Sequence, residues 1–416
     1  MAGTLSERSG RLAEAGSLAR VEWLIEGRSE ANRRFFAAEA ERIARLCHRM
    51  AERFARGGRL VAFGSSPAAR SDVRHVAVEF VHPVIVGKRA LPAIGLAGEG
   101  GLLARQVALV IEPDDIAIAF GTEEEDPDVV AALAEARGLG ALTIAFSATP
   151  AVWAFEPPSR DSFIRQELVE TLYHVLWELV HVFFEHRGLL RGRDARAVHD
   201  VGGSSFLYPF LSEGEHDLES IVADVRQSVL LKASEIGELR EQTLTENQSE
   251  LLRAAGALRE TFEAGGKLLA LGNGGSATDA MDVVADFRNP PQGWPPRRAL
   301  DLTEDTAILT AIANDVGTDA IFARQIIAYG RPGDAVLAFS TSGNSKNVIE
   351  ALGEARRQRL RTIALVGYGG GRIADEGLAD HIVVTRSEHI PRIQEAQASA
   401  YHVLRELVEL VSTEAD

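Results

Sequence analysis

The sequence predicts an α/β protein of two tandem domains, each a mainly parallel sheet with helices on both faces. Three observations carry this reading: an internal duplication, an alternation of short apolar strands with amphipathic helices, and glycine-rich turns at strand ends. The duplication divides the chain. "FARGGRLVAFG" (Phe54 to Gly64) matches "FEAGGKLLALG" (Phe262 to Gly272), and "DDIAIAFGTEEEDPDVVAALAEAR" (Asp114 to Arg137) matches "GDAVLAFSTSGNSKNVIEALGEAR" (Gly333 to Arg356). Late in each copy "RQELVETLYHVLWELV" matches "RIQEAQASAYHVLRELVEL", so Gln166 and His174 meet Gln394 and His402. The expected division is a first domain over 1–190, a linker over 191–218 rich in glycine, serine and mixed charge, and a second domain over 219–416.

Within each copy the elements follow in the same order. Ile43, Cys47, Met50 and Phe54 recur at helical spacing and match Leu251, Ala255, Leu258 and Phe262, an amphipathic helix leading into a strand. The strands themselves, such as "LVAF", "IAIAF", "AVLAF" and "TIAL", are apolar throughout, which suits parallel strands buried on both faces. In such sheets ligands bind beyond the carboxyl ends of the strands, where the glycine turns fall. "NPPQGWPPRR" (Asn289 to Arg298) breaks the pattern and predicts a surface loop.

Composition narrows the class. The chain has 416 residues, 46% hydrophobic and 25% charged, as in a soluble globular protein. "MAGTLSERSG" lacks the apolar segment of a secretory signal, and no apolar run reaches membrane-spanning length. One cysteine, Cys47, excludes an internal disulfide and suits a cytoplasmic location. Its place on an apolar helical face predicts a core thiol rather than a nucleophile. A net charge of −16 argues against coating nucleic acid, so a phosphate ligand must be held by local geometry.

Two loops of the C-terminal copy offer that geometry. "LGNGGSATDA" ends a strand and opens a helix, placing Asn273, Gly274 and Ser276 where backbone N–H groups attract an anion. "FSTSGNSKNVIEAL" does the same with Ser340, Thr341, Ser342 and Ser345, hydroxyls that donate to a phosphate without positive charge. A helix cap needs only one of them. The N-terminal copy reads "FGSSPAARS", where Pro67 removes a donor, and "FGTEEEDPDVV", where Glu123, Glu124, Glu125 and Asp126 would repel a phosphate.

"GNGGSATDA", "TAILTAIANDVG", "FARQI", "GRPGDAVLAFSTSGNSKNVIEAL" and "RIQEAQ…H" together closely resemble the phosphoheptose isomerase family of sugar-isomerase (SIS) domain enzymes, over about 219–411. The N-terminal half resembles a diverged second copy. The resemblance implies conversion of sedoheptulose 7-phosphate to a heptose 7-phosphate, a homotetramer with sites shared between neighbouring chains, and zinc. It places the phosphate on Ser276, Ser340, Thr341, Ser342 and Ser345 and turns Asp315 toward the sugar. It also implies a metal and acid/base set: His and Glu four apart on the first helix, Gln and His eight apart on the last.

Here the chain departs from the family. The C-terminal half keeps Gln394 and His402 but carries Asp282 and Asp286 in place of the His/Glu pair. The N-terminal half has His75, Glu79, Gln166 and His174 and lacks the "TAIANDVG" segment. His75 and Glu79 share a helical face and suit one metal. Gln166 and His174, eight residues apart, stand about 12 Å apart along a helix and so suit two different sites. The expectation is a composite site, with phosphate on the C-terminal loops and part of the metal or acid/base set from the N-terminal half. A homodimer would then imitate the family tetramer. Isomerisation through an enediol needs a base and an acid, with Glu79 or Asp286 as carboxylate and His174 or His402 as imidazole. Two alternatives stand beside this: a non-catalytic SIS phosphosugar sensor, and an isomerase of another phosphosugar like the tandem SIS module of glucosamine-6-phosphate synthase. Neither end offers a basic helix-turn-helix pattern for DNA.

Overall fold

The computed structural model describes residues 5–85, 88–97, 102–121, 126–147, 149–185 and 217–410. The proposed linker over 191–218 therefore lies almost wholly outside the described residues, as do Glu123, Glu124 and Glu125.

In chain order the N-terminal copy carries α1 (Leu5–Ala55), β1 (Leu60–Gly64), α2 (Pro67–Val81), β2 (Ala93–Leu96), α3 (Leu103–Val110), β3 (Ile116–Phe120), α4 (Pro127–Gly138), β4 (Leu142–Ala145), β5 (Trp153–Ala154) and α5 (Ser162–Glu185). The C-terminal copy carries α6 (Leu218–Glu246), α7 (Gln248–Glu263), β6 (Leu268–Leu271), α8 (Gly275–Arg288), β7 (Ala299–Asp301), α9 (Thr306–Asp315), α10 (Ile321–Tyr329), β8 (Ala335–Ser340), α11 (Lys346–Arg357), β9 (Arg361–Val366), α12 (Gly371–Asp375), β10 (His381–Val384) and α13 (Ile390–Leu410). No helix among the described residues is long and apolar enough to cross a membrane.

Each copy forms one five-stranded sheet, paired in parallel throughout. The strand orders are β2-β1-β3-β4-β5 and β7-β6-β8-β9-β10, one topology repeated. In this order the chain turns outward in opposite directions after the first and third strands, which opens a ligand crevice between them at their carboxyl ends. β1, β3 and β8 are buried along their whole length, as their unbroken apolar runs predicted. The edge strands β2, β5, β7 and β10 have two to four residues, too few for any periodicity to mark. Cys47 is fully buried, and burial pushes its thiol well above the usual range, as a core residue requires. Asn289 to Arg298 runs irregularly and mostly at the surface, as predicted.

The compact units do not follow the sequence boundaries. One comprises Ala31–Glu235, and the other comprises Met1–Glu30 together with Ile236–Asp416. In the C-terminal unit Val21, Leu24 and Ile25 of α1 join Leu251, Leu258, Val403 and Leu407 in one core. In the N-terminal unit Ile221, Val222, Val225 and Val229 of α6 join the core of α1 and α5. An amphipathic stripe shows that a helix face is buried but not what covers it. That is why a division at 190 and 219 could not anticipate the exchange.

A buried ion pair pins the exchanged segment. Arg28, 2% exposed, donates from Nη2 to Glu406 Oε2 at 2.9 Å and from Nη1 to the Leu24 carbonyl at 3.2 Å. Truncating one partner of a buried pair strands the other charge. Arg28→Ala is therefore expected to destabilise the C-terminal unit by about 3–5 kcal/mol in denaturant unfolding, although residue 28 belongs by sequence to the other copy. A loss below about 1 kcal/mol would contradict the exchange.

Candidate active site

β6 and β8 are hydrogen-bonded neighbours, with Leu271 opposite Ala338, so the glycine turn and the serine loop leave the sheet side by side. Glycine permits the crowding. A Cβ on Gly272 would lie 2.2 Å from the Ser276 carbonyl oxygen, and one on Gly343 would lie 2.0 Å from that of Gly370. The two loops are then joined by a reciprocal amide pair. Asn273 Nδ2 donates to Asn347 Oδ1 at 2.9 Å, and Asn347 Nδ2 donates to Asn273 Oδ1 at 2.8 Å.

Both helices that begin here lack a side-chain cap. Gly274 precedes α8 and Ser345 precedes α11, and neither provides a capping side-chain bond. The Ser345 hydroxyl lies 3.1 Å from the Ser340 hydroxyl, and Ser340 Oγ accepts from the Gly343 N–H at 3.1 Å. Ser276 sits buried in the first turn of α8, while Thr341, Ser342 and Ser345 are half-buried. Helix starts without a side-chain cap beside a set of hydroxyls are an arrangement that suits an anion.

The N-terminal copy closes the same crevice with its own side chains. The Ser66 hydroxyl accepts from the Ala69 N–H at 3.0 Å and caps α2. Asp126 caps α4, accepting from the Asp128 and Val129 N–H groups and from the Ser65 hydroxyl across the crevice. The Ser65 bond leads in holding the Asp126 carboxyl below its ordinary range. A built-in carboxylate thus stands at the helix start of α4.

Deeper in each unit, α2 and α8 bring residues of their third and fourth turns against α5 and α13. In the C-terminal unit Asp282, Asp286 and His402 converge: His402 Nε2 is 3.5 Å from Asp282 Oδ2 and 3.5 Å from Asp286 Oδ2. Tyr401 donates to Asp282 Oδ2 at 2.6 Å. Arg405, wedged against Phe287 and Trp294, adds a cation beside the Asp286 backbone. In the N-terminal unit His75 Nε2 faces His174 Nε2 at 3.3 Å, Glu79 Oε1 at 3.9 Å, and Glu170 approaches His75 Nδ1 at 4.0 Å. Tyr173 OH pairs with His75 Nδ1 at 2.9 Å. Burial first, then the facing His174, holds the His75 pKa well below its usual value, so the imidazole is neutral.

Of the expected residues, the structure unites His75, Glu79 and His174 in one cluster, and Asp286 with His402 in the other. Gln166 is half-buried and stands eight residues before His174 on α5, and Gln394 is buried at the same remove from His402 on α13. Asp315 lies exposed at the end of α9, where Asn314 Nδ2 donates to it at 2.7 Å. Glu170, Tyr173, Tyr401 and Asn347 were not anticipated. The signal for three of them was the segment "YHVL", identical in both copies, with Glu170 four residues before its histidine.

A parallel sheet whose neighbouring first and third strands carry a glycine turn and a hydroxyl loop defines the sugar-isomerase class, and the SIS domain family model matches residues 233–367. The phosphoheptose isomerase of Pelodictyon phaeoclathratiforme is 44% identical over 177 residues, 41% of this chain and 82% of the relative. That of Nitratidesulfovibrio vulgaris is 39% identical over 187 residues, 45% of this chain and 89% of the relative. The chain belongs to the phosphoheptose isomerase family. The C-terminal domain of glucosamine-fructose-6-phosphate aminotransferase from Francisella tularensis shares the fold over 94% of this chain and 95% of its own, with a TM-score of 0.59 at 9% identity.

Because the Ser345 hydroxyl caps nothing, Ser345→Ala is expected to cost less than about 0.5 kcal/mol in thermal unfolding, against the roughly 1 kcal/mol of a lost cap. A loss of a full cap's worth would reassign Ser345 to helix stability.

Proposed function

We propose that the protein is a phosphosugar aldose–ketose isomerase acting on sedoheptulose 7-phosphate. The observation that carries this is the pair of uncapped helix starts, α8 and α11, facing one crevice beside Ser276, Ser340, Thr341, Ser342 and Ser345. The family's curated relatives are named for the same activity. Phosphate binds at that crevice. Asp286 lies ten residues along α8 from Ser276, about 15 Å by helical rise, which favours a long, extended sugar phosphate over a short one.

The chemistry is a proton transfer between adjacent carbons through an enediol. A carboxylate, Asp286 or Glu79, takes the proton beside the carbonyl, and an imidazole, His402 or His174, protonates the oxygen as the enediol forms. The N-terminal half's share in this site is supported by residue complement: it carries the His75/Glu79 pair that the C-terminal half replaced with Asp282 and Asp286. Zinc belongs to the same proposal. His75, His174 and neighbouring carboxylates are donors that suit it, and when bound it would supply Lewis-acid polarisation of the carbonyl. Homodimerisation is supported by α9, an apolar helix with no buried residue and Val316 58% exposed at its end.

The C-terminal cluster also supports a second reading, a phosphosugar sensor without catalysis, because aspartates stand where the family has histidine and glutamate. One experiment separates the two. The purified chain, fractionated by size, is incubated with sedoheptulose 7-phosphate and the aldose product followed. Turnover is expected in a fraction of twice the chain mass, falling at least about 100-fold in Ser342→Ala, Asp286→Asn and Glu79→Gln. Tight binding without turnover in wild type would select the sensor. Full activity in Glu79→Gln would remove the N-terminal half from the chemistry.

A further inference from the structure

We propose that the N-terminal unit carries a second small-molecule site, a basic pocket beyond the carboxyl end of β5 that takes the phosphate monoester of a sugar. The proposal does not rest on the isomerase reading, which concerns the C-terminal crevice. The pocket has a volume of about 600 Å³, within the roughly 300–1,000 Å³ of small-molecule sites. Arg34 of α1, Arg160 of the segment after β5, and Arg165 at the start of α5 line it.

The walls are fixed by bonds inside the unit. Arg42, about two turns beyond Arg34 on α1, donates from Nη2 to the Ala154 carbonyl at 2.8 Å, and its guanidinium lies 4.7 Å from the Phe155 ring centroid. Arg165 Nη1 donates to the Pro157 and Ser159 carbonyls, each at 3.2 Å. Pro157 and Pro158 have fixed φ angles, which lowers the ordering cost of binding against this wall. Among the described residues Arg34 and Arg160 are exposed and pair with no carboxylate. One carboxylate, Glu156, lines the pocket with the three guanidiniums. Asp161 is spent on α5, accepting from the Phe163 and Ile164 N–H groups at 2.9 and 3.2 Å.

This composition selects the ligand. Guanidinium groups meet phosphate oxygens two at a time, and free phosphate would fill only a small part of the pocket. Ser159 Oγ accepts from the Asp161 N–H at 3.1 Å and keeps its own proton to donate, while Glu156 is an acceptor, so the two suit the hydroxyls of a sugar. The described lining has no aromatic ring on which a nucleobase could stack. The pocket has no counterpart in the C-terminal copy. By the register that pairs Gln166 with Gln394, Arg160 and Arg165 match Glu388 and Ile393, and by the one that pairs Ile43 with Leu251, Arg34 matches Gln242.

Titration calorimetry of the full chain with glucose 6-phosphate, inorganic phosphate and glucose tests the site. It is run on wild type, on Ser342→Ala, and on Ser342→Ala combined with Arg34→Gln and Arg160→Gln. Because Ser342→Ala weakens the C-terminal crevice, the binding that remains reports the basic pocket. Glucose 6-phosphate is expected to bind the Ser342→Ala chain at about one per chain, at least about tenfold more tightly than inorganic phosphate and about 100-fold more tightly than glucose, with affinity falling as salt rises. Adding the two arginine changes, both at exposed positions and checked by an unchanged melting temperature, should weaken it at least about tenfold. No binding to the Ser342→Ala chain, or binding undiminished by the arginine changes, would overturn the proposal. Inorganic phosphate binding as tightly as glucose 6-phosphate would overturn the assignment of a sugar. Binding equal in wild type and Ser342→Ala but lost with the arginine changes would support this site and count against the crevice.

Discussion

The structure of the C-terminal unit depends on how closely two neighbouring parallel strands let their loops approach. β6 and β8 are bonded to each other, so the turns leaving them compete for one small volume. Gly272 folds under the carbonyl of Ser276, and Gly343 under that of Gly370, at distances no side chain would allow. The Asn273–Asn347 amide pair then fixes the loops to each other. What remains at their rim is a set of hydroxyls and two helix starts without a side-chain cap. Such a rim suits an anion without any positive side chain, which is compatible with a chain of net charge −16.

The duplicated half has the same sheet order and the opposite solution at the same place. Ser66 and Asp126 cap α2 and α4, and Ser65 ties the two loops through Asp126. Deeper down the bias reverses. Two imidazoles and two glutamates gather between α2 and α5, while α8 and α13 gather two aspartates and one histidine within reach of Tyr401 and Arg405. One fold, copied, thus carries different groups at the same two places.

Much of this was legible in the sequence, for physical reasons that differ by feature. The repeat, the buried strands and both loops were visible because each leaves a local pattern: unbroken apolar runs, glycine at strand ends, hydroxyls before a helix. The His75/Glu79 pair was visible because both lie on one helix. Glu170 stands four residues before His174 on one helix, but the resemblance pointed to Gln166 instead, and nothing in the sequence shows that α5 brings Glu170 toward His75 of α2. Asn347 was hidden because an asparagine in a polar loop looks the same whether or not it bonds a second loop. The exchange of α1 and α6 segments was hidden because periodicity reports burial without naming the partner.

Recognition of a phosphate group, rather than of the sugar alone, is what the proposed C-terminal crevice requires. Titration calorimetry with sedoheptulose 7-phosphate and with unphosphorylated sedoheptulose measures this directly. The phosphate is expected to improve affinity at least about 100-fold, close to 2.7 kcal/mol, as several hydrogen bonds to a dianion require. Equal affinities for the two sugars would contradict it.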